Sequence, residues 1–184
     1  MAESGCLRDL AVQNLDVAGS LHLTDSTLCF KRKVITPGGA ARTLLVEESG
    51  SLVIVAASDA IVLPKITAND IGTTYTFLYP TASNDPATIK TSGLAALGDD
   101  FVPGGVPTVC TGAQTSASFI SSAPIADNDN TFTFDGNLTN GLSLGGSSLT
   151  CTAVAASANG ANVWYCTGQL ITSAGDNTGT AYFT

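Results

Sequence analysis

Thr74-Tyr75-Thr76-Phe77-Leu78-Tyr79 places an aromatic residue at every second position. Side chains alternate faces along a β-strand, so Tyr75, Phe77 and Tyr79 share one face while Thr74, Thr76 and Leu78 share the other. A stripe of this kind marks a strand with one face buried in a core. Asn162-Val163-Trp164-Tyr165-Cys166 reads the same way, with Trp164, the only tryptophan, as a core anchor. Between residues 148–155 and 162–170 stands Asn159-Gly160, whose tolerance of positive φ suits a tight primed turn and predicts an antiparallel hairpin.

Outward from these segments, short β-branched and aromatic runs recur along the chain. They fall at residues 12–17, 21–24, 27–35, 43–46, 52–56, 60–63, 87–91, 116–121, 131–134 and 180–183. Gly, Pro, Asn and Asp punctuate them, and helical periodicity is nearly absent. The pattern is all-β. So many short strands in one domain predict an antiparallel β-sandwich, preferably a jelly roll, over residues 41–184. Residues 93–107, two glycine-rich clusters around Asp99-Asp100-Phe101, are expected to form a long exposed loop.

Residues 1–40 read as an N-terminal extended arm. Leu10, Val12, Leu15, Val17, Leu21 and Leu23 are apolar on two short strands broken at Gly19-Ser20, more than such strands can bury alone. With Lys31, Arg32 and Lys33 they form the expected assembly interface, the arm projecting into a neighbouring subunit of a homotrimer. Deleting residues 1–26 should then weaken association and leave the sandwich folded. The basic run has a second reading, an edge strand kept from aggregating by its charge.

The chain of 184 residues is 44% hydrophobic and only 12% charged, too apolar for disorder, and its surface must be covered by Ser, Thr, Asn, Gly and Ala. Such a skin suits a molecule packed against copies or neighbours, the neutral polar skin of a soluble monomer being the alternative to assembly. All seven basic residues lie at or before Lys90, against nine acids; beyond it stand six aspartates and no cation. Nucleic-acid binding needs clustered cations, so that half is not expected to bind it. Five cysteines at irregular spacing, with no Cys-x-x-Cys, signal neither zinc nor a redox motif. They read as buried thiols, with pairing of Cys151 and Cys166 across adjacent strands left to geometry. No secretory signal pattern and no membrane-length apolar run occurs, so synthesis in a cytoplasm and no membrane contact are expected.

Three patterns test for chemistry. Gly141-Leu142-Ser143-Leu144-Gly145 matches a nucleophile elbow in letters, but it enters a strand instead of a helix, and the only histidine, His22, lies far upstream. Asp127-Asn128-Asp129-Asn130 opens like a calcium loop, yet Phe132 and Leu138 occupy the glycine and glutamate positions. A looser calcium site at Asp127, Asp129 and Asp135 stays open beside an Asx-rich turn. Asn137-Leu138-Thr139 is read as a loop asparagine rather than a glycosylation acceptor. No enzyme, cofactor or metal is expected.

Leu44-Leu-Val-Glu-Glu-Ser-Gly, then Val53-Ile-Val-Ala-Ala-Ser-Asp-Ala-Ile-Val-Leu-Pro, then Gly72-Thr-Thr-Tyr-Thr-Phe-Leu, resembles small structural proteins of tailed phages and large DNA viruses, capsid decoration and minor capsid proteins among them. Val163-Trp164-Tyr165 looks like the closing strand of such a domain. The resemblance covers residues 44–79. It implies a trimer on the virion surface that stabilises the shell by bridging capsomers, with the major capsid protein or other virion proteins as partners. A tail-fibre or spike subunit and a carbohydrate-binding β-sandwich, its groove lined by Tyr75, Tyr79 or Trp164, are the alternatives.

Overall fold

The computed structural model describes residues 32–81, 85–92, 100–103, 108–110, 130–134, 145–156 and 162–172. These are β-rich. Among them the only helical segments are two single 3-10 turns, Val46–Glu48 and Ala68–Asp70. The strands are β1 (Val34–Ile35), β2 (Ala41–Thr43), β3 (Leu52–Ile54), β4 (Ala60–Val62), β5 (Thr74–Tyr79) and β6 (Ala87–Lys90). They continue with β7 (Asp100–Pro103), β8 (Thr108–Cys110), β9 (Thr131–Phe134), β10 (Ser147–Ala156) and β11 (Asn162–Thr172).

Two sheets result. The larger has the order β1-β3-β5-β10-β11-β7, with β8 also paired to β11; the smaller has the order β2-β4-β6-β9. From β1 to β6 the chain alternates between sheets, and each strand lies parallel beside the one from the previous turn. Val34 faces Leu52 and Leu52 faces Thr76 in one sheet; Ala41 faces Ala60 and Ala60 faces Thr88 in the other. The first half is therefore a flattened coil of three turns. Parallel neighbours need a long crossover, and here each crossover is a strand of the opposite sheet.

The chain then adds strands in the opposite sense. β9 pairs antiparallel with β6, and β10 pairs antiparallel with both β5 and β11. The expected hairpin is present as the β10–β11 ladder, with Cys151 facing Cys166 and a register shift between Ala153 and Ala155; residues 159–160 lie outside the described set. Strands β7 and β8 run parallel to β11. The antiparallel jelly roll expected from the sequence is thus corrected to mixed sheets. A period of two reports which face is buried and carries no information on strand direction.

Two local expectations also change. The strand expected over residues 43–46 lies instead at Ala41–Thr43, because the chain leaves the small sheet after Thr43 and turns through Val46–Glu48. The long loop over residues 93–107 contains β7, whose Phe101 is buried. Val34–Ile35, within the segment read as an arm, is an edge strand of the large sheet.

One hydrophobic core lies between the sheets. The coil fills it with Ile35, Leu44, Val53, Val55, Ile61 and Leu63, all nearly inaccessible to solvent. Strand β5 and the strands after the coil supply aromatics: Tyr79 of the large sheet stacks on Phe134 of the small one at 5.3 Å, and Phe132 meets Phe134 edge-on at 4.9 Å. Tyr75, Phe77, Tyr79 and Trp164 are fully buried, as the stripe predicts. Gly168, opposite Leu149, is a close-approach position: a Cβ there would run into Ser148 O and Leu149 Cα.

Candidate functional site

Among the described residues the candidate functional features are surfaces and the charges that shape them. Three turns of the coil share one device. Leu45–Glu48, Ala56–Asp59 and Thr67–Asp70 each end on an acid whose carboxylate accepts the N–H of the turn's first residue, at 3.1, 2.7 and 2.8 Å. The acid's own N–H donates back to that residue's carbonyl, at 2.9, 3.2 and 3.0 Å. Glu48, Asp59 and Asp70 stand at equal intervals of eleven residues. This spacing was open to reading in the sequence and marks the coil's corners.

Two of the turns continue alike. In Glu48-Ser49-Gly50-Ser51 and Asp70-Ile71-Gly72-Thr73 the glycines have φ +82° and +96°, a conformation other residues adopt at a cost. The Ser51 and Thr73 hydroxyls each donate to the acid's carbonyl. Gly50 N–H donates to Thr74 O at 2.7 Å and Gly72 N–H to Ala153 O at 2.9 Å, so each turn is fixed to the next strand of the large sheet.

Glu48 gathers the first turn of the coil. It is 5% exposed, and its Oε1 accepts from Lys33 Nζ at 2.8 Å and Arg42 Nη2 at 2.6 Å. Burial pushes its pKa up. The Lys33 hydrogen bond, the Leu45 N–H and the charges of Arg42 and Lys33 outweigh this and leave it lowered. Nearby, the Tyr75 hydroxyl donates to Leu45 O at 2.6 Å, and burial together with the Glu48 and Glu47 charges pushes that phenol up. Asp59, also buried, accepts the N–H groups of Gly39 at 2.6 Å and Ala56.

Of the residues expected at an assembly interface, Leu10, Val12, Leu15, Val17, Leu21, Leu23 and Lys31 lie outside the described residues. Arg32 donates to Gly50 O and, at 2.7 Å, to Thr76 Oγ1, and Lys33 is held by Glu48. Both side chains therefore fasten the edge strand β1 to the body of the coil.

The outer face of the large sheet, across β3, β5, β10 and β11, carries Leu52, Ile54, Thr74, Thr76, Leu78, Ser148, Thr150, Thr152, Val163, Tyr165, Thr167 and Gln169. No ionisable carboxylate or amine is among them. Hydroxyls pair directly across strands, Thr74 with Thr152 at 3.0 Å and Thr76 with Thr150 at 3.2 Å. Sequence reasoning took this alternation as the outward side of core strands and did not see that three of them, β5, β10 and β11, lay their hydroxyls side by side. The signal present was the Thr-x-Thr spacing in both Thr74–Thr76 and Thr150–Thr152.

Asp127, Asp129, Asp135 and His22 lie outside the described residues, as do residues 141–144. Among the described residues no cluster of His, Cys, Asp or Glu could hold a metal ion, and no helix is long and apolar enough to cross a membrane. Comparison with known proteins finds no matching family model, no matching curated protein and no matching solved structure.

Proposed function

We propose that this chain is a structural subunit of a virus particle, a capsid decoration or minor capsid protein that self-associates and braces the shell by bridging neighbouring capsomers. The observation that carries the reading is the uncharged, hydroxyl-lined outer face of the large sheet. Coulomb attraction between exposed charges is weakened by salt, whereas a face whose own strands carry no carboxylate or amine can be covered by another protein surface at little cost in charge desolvation. Of the charges nearest it, Lys33 and Arg42 pair with Glu48, and Arg32 marks its edge at Thr76, where it is held by Gly50 O and Thr76 Oγ1. The sequence resemblance over residues 44–79 supports the same reading, for it spans the acid-closed turns and the strands they align.

A fibre or spike subunit is the second reading, favoured by the coil itself: parallel strands stacked turn upon turn extend along one direction. The carbohydrate-binding reading is weakened by the burial of all three aromatics it relied on, Tyr75, Tyr79 and Trp164.

The test uses purified full-length protein, its mass in solution measured by light scattering after size exclusion, followed by sedimentation with preassembled empty shells. Decoration requires a trimer near three times 18.6 kDa and saturable shell binding. A stable monomer that binds no shell overturns it, and binding to tail or vertex complexes alone moves the reading to a fibre.

A further inference from the structure

The large sheet holds two thiols in direct opposition. Cys151 on β10 and Cys166 on β11 are register partners, their Sγ atoms lie 3.2 Å apart, and both are free and fully buried. Directly opposed residues of an antiparallel ladder have Cα atoms about 4.5–5.5 Å apart, inside the roughly 4.4–6.8 Å that a disulfide spans. Both side chains point to the same face, the core, and small side-chain rotations bring the sulfurs to bonding distance. We propose that Cys151 and Cys166 are an oxidation site, closing to a cross-strand disulfide when the protein meets a small peroxide. The proposal rests on this geometry alone and stands whether or not the protein belongs to a virion.

The chemistry balances in two steps. One thiolate attacks a peroxide oxygen, the O–O bond breaks, and a sulfenic acid and hydroxide form; the hydroxide takes up the thiol's proton as water. The second sulfur, as it loses its proton, attacks the sulfenic sulfur. The S–S bond forms, the S–O bond breaks, and a second water leaves. Two thiols are oxidised and one peroxide is reduced to two waters. A bulky disulfide oxidant would have to place a mixed disulfide inside the packed core, so hydrogen peroxide is the appropriate class of reagent.

Access governs the rate. The pair lies behind the Thr150 and Thr152 face and beside Trp164, whose carbonyl accepts from the Cys166 thiol at 3.7 Å. Burial, and after it the adjoining Cys151 thiol, pushes the Cys166 pKa well up, so little thiolate exists at neutral pH. Oxidation is therefore slow and follows local opening of β10 from β11. Once made, the bond closes a loop between residues 15 positions apart and fixes the two longest strands to each other.

The experiment treats reduced, full-length protein with hydrogen peroxide under native conditions, then maps it without reduction. Trypsin has no site beyond Lys90, so chymotrypsin, which cuts after Trp164 and Tyr165, separates the two cysteines. The expected result is a Cys151–Cys166 linked peptide, lighter by two hydrogens, and an apparent Tm raised by about 5–10 °C. Cys166→Ser should abolish the oxidant-dependent shift while keeping the reduced protein's Tm within a few degrees. The proposal is overturned if either cysteine links instead to Cys6, Cys29 or Cys110. It is equally overturned if the two are converted separately to sulfinic acids, or if both stay reduced in the native protein while urea-unfolded chains oxidise.

Discussion

The coil of β1 to β6 and the strands that close it, β9 to β11, solve the same alignment problem by different means. In the coil all neighbours within a sheet are parallel, β1 to β4 bury aliphatic side chains before β5 adds Tyr75, Phe77 and Tyr79, and the corners are closed by Glu48, Asp59 and Asp70. In the closing strands β9 and β10 pair antiparallel with the coil, Phe132, Phe134 and Trp164 join the β5 aromatics in the core, and register is supported by hydroxyl pairs such as Thr74 with Thr152. A coil must return to the same height on every turn, so its register is decided at the corners. A carboxylate suits that place because it accepts backbone N–H groups that the strands leave unpaired. An antiparallel ladder takes its register from facing side chains, and its corners can be uncharged.

The comparison breaks most readily in the core. Trp164→Ala should cost about 4 kcal/mol and Val53→Ala about 2.5 kcal/mol in urea unfolding, since the indole fills more of the space between sheets. The reverse order would mean that the coil, and not the closing strands, carries the stability. Next in size, Asp59→Ala should cost about 2 kcal/mol, because two part-buried hydrogen bonds to its carboxylate, from the N–H groups of Gly39 and Ala56, are lost together. Restoring an oxygen with Asp59→Asn should recover part of that loss. Equal stability of Asp59→Ala and the parent would remove the role given to the corners.

Acid sharpens the contrast further. The Glu48 carboxylate has a folded-state pKa below its ordinary 4.5, so its contribution is complete above that value and is lost as pH falls through the lowered one. Unfolding free energies measured between pH 6 and pH 3 should therefore fall more steeply for the parent than for Glu48→Gln. Parallel curves would show that Lys33 and Arg42 bind Glu48 no better folded than unfolded. The smallest effect is expected at Ser58, the non-glycine residue with φ +62° inside the Asp59 turn. Ser58→Gly should stabilise by at most about 1 kcal/mol by relieving that backbone, with a small rise in Tm as the readout.

The strands themselves were legible where one face is aromatic: residues 74–79 and 131–134 are read from the sequence with the bounds the structure has, and the β10–β11 hairpin pairs as Asn159-Gly160 predicts. Their direction was not. Leu52-Val53-Ile54 would look the same beside a parallel or an antiparallel neighbour, because alternation describes burial alone. The coil was encoded elsewhere, in the recurrence of Glu48, Asp59 and Asp70 and of Gly50-Ser51 and Gly72-Thr73, where no strand pattern draws the eye. Strand β7 escaped because Phe101-Val102 is too short a run to stand out between Asp99-Asp100 and Pro103-Gly104-Gly105. Arg32 and Lys33 looked like a free basic patch because their partners, Gly50, Thr76 and Glu48, are remote in sequence.

The place of β5 between the two regions has a kinetic consequence. On one side it pairs with β3, Leu52 against Thr76; on the other it waits for β10, whose Thr150 lies 74 positions beyond Thr76. Loop closure grows dearer with separation, so the coil can form turn by turn as the chain leaves the ribosome, well before β10 exists. During that interval β5 is an open strand edge whose inner face carries Tyr75, Phe77 and Tyr79, which makes it the point most prone to wrong pairing with another nascent chain. Arrival of β10 covers that edge and ends the exposure.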